Sequence, residues 1–321
     1  MSRSKSEATT LVVGASGQDG VLLTELLQAA GNRVIQIGRD FIFDGVIRRT
    51  FTSTDIDQVK EVFNRYSPKE VYFLATNHSP SDSHISDEKL LLDYVHSQIS
   101  FLNMYLESSL SLGRETRFFF ASSCLVFGSP NVSPQNETTL RAPVGMYSLS
   151  KLFSEELVKY YRDSFGLYAL TGILFPHESE FRRQDFLFSK ILRHSIEVSQ
   201  GSYSTLKLNN LDVARDWSAA RDIVNAIYMS MQQPDPRDYV IGGGQLHTVR
   251  EICELAFSYH NLNYQEWVEE DPETLVRANP ELPYLADTSL LRKHTSWFPK
   301  IDFNDLVNSS IEYLESEGAP K

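Results

Sequence analysis

Tyr147 and Lys151 stand four apart in the run Met146-Tyr147-Ser148-Leu149-Ser150-Lys151. In a helix both side chains leave one face, stacked one turn apart. A lysine ammonium in that place favours the phenolate form of its neighbour and lowers the phenol's pKa. Upstream, the apolar run Arg117-Phe118-Phe119-Phe120-Ala121 reads as a buried strand that delivers Ser122 and Ser123 to its carboxyl end. A serine hydroxyl there can hold the substrate oxygen that the phenol protonates or deprotonates. Ser123, Tyr147 and Lys151 together are proton-transfer machinery for an alcohol/ketone interconversion. The spacing gains its meaning only if a dinucleotide site lies earlier in the chain.

Such a site is legible near the start. Thr10-Leu11-Val12-Val13 is a β-branched apolar run leading into Gly14-Ala15-Ser16-Gly17-Gln18-Asp19-Gly20, and Val21 to Leu27 then shows helical spacing. Strand, glycine turn and helix form the context a dinucleotide fingerprint requires. Gly14, Gly17 and Gly20 let the backbone turn tightly and approach a pyrophosphate, and the helix start offers free N–H groups to that anion. Gln18 and Asp19 belong to the same turn. Arg33 to Ile37 reads as the second strand, followed by Gly38-Arg39-Asp40. An acidic residue there would bind the ribose of NAD, whereas an arginine pairs with the 2′-phosphate of NADP. Arg39 comes first, so NADP is favoured over NAD.

Lys69 to Ala75 is a further strand, placing Leu74, Ala75 and the loop Thr76-Asn77-His78-Ser79 at the crevice. Helical periodicity covers Asp57 to Ser67, Asp87 to Leu112, Tyr147 to Phe165, Phe186 to Val198, Asp216 to Met231 and His247 to His260. Tyr168 to Leu174 and Tyr239 to Ile241 read as strands. Alternation of this kind indicates an α/β chain with a parallel sheet covered on both faces.

Bulk properties narrow the partners. The net charge of −12 carries no basic stripe and excludes a nucleic-acid binder. Cys124 and Cys253 lie far apart with no metal-ligand spacing, which points to a reduced, cytoplasmic protein without a metal. Met1 to Thr10 is polar, unlike a signal peptide, and no apolar run is long enough to span a membrane.

With the glycine turn, Ser123, Tyr147 and Lys151 placed, the chain resembles the extended short-chain dehydrogenase/reductase family over nearly its whole length. In that family the Tyr is the acid/base, the Lys holds the nicotinamide ribose, and the Ser orients the substrate oxygen. The likeness is greatest to the GDP-mannose 4,6-dehydratases. It rests on Gly14 to Gly20, on Gly172-Ile173-Leu174-Phe175-Pro176-His177-Glu178-Ser179, and on Leu208-Asn209-Asn210-Leu211-Asp212. Ala214-Arg215-Asp216-Trp217 and Asp238-Tyr239-Val240-Ile241 match as well. The resemblance implies that Lys190 contacts a guanine and that Asn210 and Arg215 contact the GDP moiety. It sets Ser122, His177 and Glu178 beside the sugar. It implies a Rossmann-type doubly wound parallel sheet with a smaller mixed α/β C-terminal substrate domain. Residues 1–175, completed by about 213–245, would bind NADP, and 176–212 with 246–321 the nucleotide sugar.

The departures carry as much information. The family's proton-abstracting carboxylate lies two residues after its active-site Thr. In Ala121-Ser122-Ser123-Cys124-Leu125-Val126-Phe127-Gly128, Ser123 takes the Thr place and Leu125 the carboxylate place. Leucine cannot move a proton, so elimination would need a substitute base among Glu178, His177 and Cys124. Pro176 replaces an Asn expected at the sugar, and Leu282 and Leu285 fall where an Arg and a Glu are expected. The expectation is therefore an NAD(P)-dependent enzyme transferring hydride at C4 of a nucleotide sugar, GDP-linked by preference, as 4-keto reductase, dehydrogenase or 4-epimerase. A 4,6-dehydratase with a substitute base and an idle homologue that merely binds NADP or a nucleotide sugar remain open. The arm after the second strand, Arg39 to Thr54, is shorter than in the relatives, so a homodimer through the two long helices is expected instead of a tetramer.

Overall fold

The computed structural model describes residues 8–76, 88–113, 115–271 and 282–318. Asn77, His78, Ser79, Pro280 and Glu281 lie outside them. The first half alternates strand and helix: β1 (Thr9–Val13), α1 (Gln18–Ala29), β2 (Arg33–Ile37), a short hairpin β3 (Phe41–Phe43) and β4 (Arg48–Thr50), then α2 (Ile56–Tyr66) and β5 (Glu70–Phe73). There follow α3 (Glu88–Ser111), β6 (Arg117–Ser123), α4 (Met146–Phe165) and β7 (Tyr168–Leu174). The second half holds β8 (His177–Glu178), α5 (Leu187–Ser199), β9 (Leu206–Leu208), β10 (Ala214–Arg215), β11 (Ser218–Ala219), α6 (Ala220–Met231) and β12 (Tyr239–Ile241). It closes with β13 (His247–Thr248), α7 (Val249–Tyr259), β14 (Val268–Glu270), α8 (Ser289–Thr295) and α9 (Phe303–Gly318).

Among the described residues the main sheet runs β12-β7-β6-β5-β1-β2-β3-β4. It is a Rossmann-type doubly wound sheet, parallel from β12 to β2, with β3 and β4 added antiparallel at one edge. That hairpin carries no sequence periodicity long enough to announce it. It occupies the stretch read above only as a short arm.

β6 shows why both faces must be covered. Its residues alternate sides. Phe118 and Phe120 join α2, α3 and α4 through Phe63, Tyr105, Val158 and Tyr161, whereas Phe119 and Ala121 join α1 and α6 through Leu22, Leu23, Ile223 and Ile227. A strand apolar on both sides is stable only between two helical layers. Truncating one such ring to alanine costs about 3–5 kcal/mol. A third cluster, from α5, α7 and α9, includes Phe188, Ile191, Ile252, Phe257, Val307 and Ile311 and forms the core of the smaller C-terminal lobe.

The helix read from Asp216 to Met231 begins only at Ala220. Asp216 is fully buried, and its carboxylate accepts the backbone N–H groups of Gly243, Gly244 and Ala286, each at 2.9 Å. Residues 214–219 are drawn into extended pairings with β13 and β8, which a helix would forfeit. Likewise His247 and Thr248 are strand, and α7 starts after the Thr248 side chain caps the N–H of Glu251. Arg162 grips Asp238 with two bonds of 2.7 and 2.9 Å, and Asp238 also accepts the N–H of Thr171, fixing β12 beside β7 and α4.

Candidate active site

A cleft of about 1960 Å³ opens along the carboxyl ends of the parallel strands. One half is floored by the turn between β1 and α1. Gly14 adopts φ +92°, and a Cβ there would lie 2.8 Å from the Ala75 nitrogen. A Cβ on Gly20 would meet the Gly14 carbonyl at 2.3 Å. Gly14 and Ala15 donate to the Ile37 carbonyl at 2.8 and 3.1 Å, which pins the turn to the end of β2. Helix α1 starts at Gly17 with no side chain capping its first amides. Uncapped N–H groups beside a glycine cradle form an anion site, so this half fits a dinucleotide pyrophosphate. Gly17, Leu74, Ala75, Thr76 and Arg39 line the same half; Asp40 does not.

Ser123, Tyr147 and Lys151 all line the cleft. Gly145, at φ +95°, turns the chain into α4, and the helix sets Tyr147 and Lys151 on one face. The Lys151 ammonium donates to the Ala121 carbonyl at 2.7 Å and lies 5.7 Å from the Tyr147 ring centroid and 4.9 Å from that of Phe120. Burial pushes its pKa down to about 7, against the opposing charge of Glu155. Ser123 Oγ accepts the Leu125 N–H at 3.3 Å, capping the single 3₁₀ turn that sets Leu125 into the cleft. Ser122 lines the cleft too, and its hydroxyl donates to buried Glu155, which Arg141 approaches at 3.5 Å. Burial raises the Glu155 pKa, and the Ser122 bond and Arg141 charge draw it back. Glu155 escaped the sequence reading, although its position four after Lys151 places it one turn along the same face.

His177 and Glu178 line the cleft, and both side chains are bonded within the protein. Both nitrogens of the buried His177 ring face oxygen: Nδ1 lies 2.6 Å from the Phe175 carbonyl, and Nε2 lies 3.0 Å from both carboxylate oxygens of Asp19. Two acceptors demand two N–H donors, so the ring is an imidazolium. Burial opposes that charge, and Asp19 overrides it, raising the His177 pKa. Burial likewise opposes the Asp19 carboxylate, but the imidazolium and its hydrogen bond hold it down to about 2. Glu178 is buried and bonded to Arg182 Nε at 2.5 Å, and Arg182 also donates to the His177 carbonyl. Gln18 and Asp19, expected to serve the cofactor, thus spend their side chains on 177–179: Gln18 donates to the His177 carbonyl at 3.1 Å and accepts from Ser179 at 2.9 Å. Arg182 and Ser179 were missed because nothing local marks them.

The other half of the cleft carries Lys190, Asn210 and Arg215 with buried Trp217. Asp212 and Asp216, the carboxylates nearest Arg215 in sequence, are taken by Arg250 at 2.8 Å and by backbone amides. Leu282 and Leu285 do not line the cleft among the described residues.

Most of the chain matches a known family: residues 11–310 fit the model for GDP-mannose 4,6 dehydratase. The chain belongs to that family. It is 30% identical to GDP-mannose 4,6 dehydratase 2 of Arabidopsis thaliana, over 94% of this chain and 85% of that protein. It is 33% identical to a GDP-mannose 4,6-dehydratase of Sinorhizobium fredii, over 82% and 79%. In fold, RMD from Pseudomonas aeruginosa complexed with NADPH matches with a TM-score of 0.83 at 19% identity, covering 97% of this chain and 99% of that one. The UDP-glucose 4-epimerase of Thermotoga maritima with UDP-glucose matches with a TM-score of 0.82 at 18% identity, covering 96% and 99%. This member of the GDP-mannose 4,6-dehydratase family shares its fold with both of these structures. Among its described residues no helix is long and apolar enough to cross a membrane.

Burial of Lys151 has a measurable sign. The unfolded chain holds that proton to its ordinary value of 10.5 and the folded chain only to about 7. Between these limits unfolding takes up a proton, so stability rises with pH. Lys151→Met removes this dependence. Urea unfolding from pH 7 to 9 should show wild type gaining on the variant by up to about 1.4 kcal/mol per pH unit. A constant difference across that range would contradict the buried charge.

Proposed function

We propose that this chain is an NADP-dependent enzyme that transfers hydride at C4 of a nucleotide-linked hexose, GDP-linked by preference, without eliminating water. Catalysis rests on Ser123, Tyr147 and Lys151. A nicotinamide dinucleotide held by Gly14, Gly17, Gly20 and the start of α1 supplies or accepts the hydride when bound. The protein's own work is at the C4 oxygen. Ser123 Oγ already accepts from the Leu125 N–H, so it serves that oxygen as a donor. Tyr147 gives or takes the proton. Lys151, charged through the lower part of the neutral range, stabilises the phenolate without leaving its carbonyl anchor. Lys190 suits the base, and Asn210 and Arg215 suit the diphosphate. The names of the relatives, which speak of GDP-mannose, support the nucleotide, and a neighbour complexed with NADPH supports the cofactor class.

The observation that carries this reading is the wall beside Ser123. Leu125 lines the cleft where the resemblance expects a carboxylate. Of the substitutes, His177 has both nitrogens engaged, Glu178 is held by Arg182, and Cys124 is buried. Family membership itself favours a second reading, 4,6-dehydration with Glu178 released from Arg182 as base. Incubation with GDP-mannose and NADP in deuterated water separates the two. Deuterium at C5 or a 4-keto-6-deoxy product would sink the first reading. The first predicts neither, together with hydride exchange at C4 that Tyr147→Phe reduces by at least about 100-fold. Hydride exchange absent even in wild type would favour an idle homologue.

Arg39 lines the cofactor half and Asp40 does not, which supports NADP. Arg39→Ala should weaken NADPH binding by about tenfold or more and leave NADH within about twofold, the loss of one charge-assisted phosphate contact. Equal losses for both cofactors would refute the assignment.

We also propose that two copies pair through α3 and α4. These helices pack on each other through one face and expose Leu92, Phe153 and Tyr160 on another, at 68%, 49% and 54%. Light scattering should give twice the monomer mass, and Phe153→Glu with Tyr160→Glu should halve it. A monomeric wild type would exclude the pairing.

A further inference from the structure

The two halves of the cleft are joined by side chains, and the join lies in the cofactor turn itself. Gln18 and Asp19 are the first residues of α1, the helix whose free amides face the pyrophosphate position. Both side chains bond to the segment after β7, and Gln18 Nε2 also donates to Asp19 at 3.2 Å. Gln18 donates to the His177 carbonyl at 3.1 Å and accepts from Ser179 Oγ at 2.9 Å, and both Asp19 oxygens lie 3.0 Å from His177 Nε2. The bonded partners lie some 160 positions along the chain, 158 for His177 and Asp19. From there the contact runs on: Arg182 holds the His177 carbonyl and the Glu178 carboxylate and stacks its guanidinium 4.7 Å from the Phe186 ring, immediately before α5, which bears Lys190. All of these groups except Ser179 line the cleft.

We propose that the Gln18–Asp19/His177–Ser179 clasp is an energetic coupler, and that these four are positioning residues through which an occupied pyrophosphate site orders the sugar-side segment 177–186. The inference rests on the functional reading above, because it assigns the two halves to a dinucleotide and to a nucleotide sugar. The physical ground is the placement of the bonds. An anion on the α1 amides fixes the first turn of that helix, and the first turn presents Gln18 and Asp19. A fixed Gln18–Asp19 edge removes freedom from 177–179 that a sugar nucleotide would otherwise have to remove on binding. By reciprocity, a sugar nucleotide that orders 177–186 must tighten the dinucleotide by the same factor. The clasp is also closed at both ends by charge: Asp19 faces His177 and Arg182, and His177 faces Asp19, with Arg182 on its other side bound to Glu178. Such a closed arrangement moves as a unit.

The test is the NADPH dissociation constant, read by nicotinamide fluorescence with and without saturating GDP-mannose. The pair is a dead-end complex, since both carry the reduced form. Wild type should bind NADPH at least about fivefold more tightly in the presence of GDP-mannose. In Asp19→Asn and in Gln18→Met the gain should fall below about twofold, while NADPH binding alone stays within about twofold of wild type, since the backbone amides hold the phosphates. Should Asp19→Asn leave the His177 imidazolium unpaired and fail to fold, Gln18→Met and Ser179→Ala, which spare the ion pair, carry the comparison. A merely structural clasp would lower melting temperature and leave the coupling factor intact, which overturns the inference. So would a variant that loses NADPH binding outright, because Gln18 or Asp19 would then be a direct cofactor ligand. Wild type binding both molecules independently sinks the coupling alone. Wild type binding neither sinks the functional reading with it.

Discussion

An ammonium ion held out of water on a backbone carbonyl sets the terms for the whole molecule. Lys151 reaches the Ala121 oxygen only because α4 lies hard against the end of β6, with the small side chains of Ser150 and Ser154 buried on the helix. That approach needs β6 to be straight, central and apolar on both sides. This in turn needs the two helical layers that Phe118, Phe119 and Phe120 knit to the sheet. Burial that destabilises the ammonium also brings its titration into the neutral range, where a proton donor is useful. Under the proposed chemistry, stability is given up at one residue so that a phenol beside it can work.

The parts legible in the sequence are those whose cause is local. The glycine turn follows from spacing and flanks, and Tyr147 and Lys151 share a face because a helix puts them there. β6 reads as buried because three phenylalanines leave it no wet side. What stayed hidden depends on partners far along the chain. His177 looked like a sugar ligand because no local sign reveals that Asp19 waits for it, 158 positions away. Ser122 lines the cleft beside Ser123, but its hydroxyl is spent on Glu155, a partner 33 positions away that no local sign announces. Asp216 begins a plausible amphipathic run, and only the three amides converging on it explain why the helix starts later. The β3–β4 hairpin is too short for periodicity to register.

The proposed hydride chemistry parts from the family's name at one side chain, Leu125. The fold, the cofactor cradle and the Ser–Tyr–Lys set occupy the cleft as a family likeness would lead one to expect, and Leu125 faces the same space with nothing that can carry a proton. A scaffold that holds a hydride path and a proton path independently can lose one and keep the other. His177 is paired with Asp19, and Glu178 with Arg182.

The carboxylate of Asp216 ends three stretches of chain at once: its own, the glycine run 242–244, and the return at Ala286. In evolutionary terms this is a knot of dependence. Lengthening or shortening any one of the three would pull its amide off a shared acceptor and strand the others in a dry interior. Insertions in this lobe should therefore be tolerated only in segments beyond the knot.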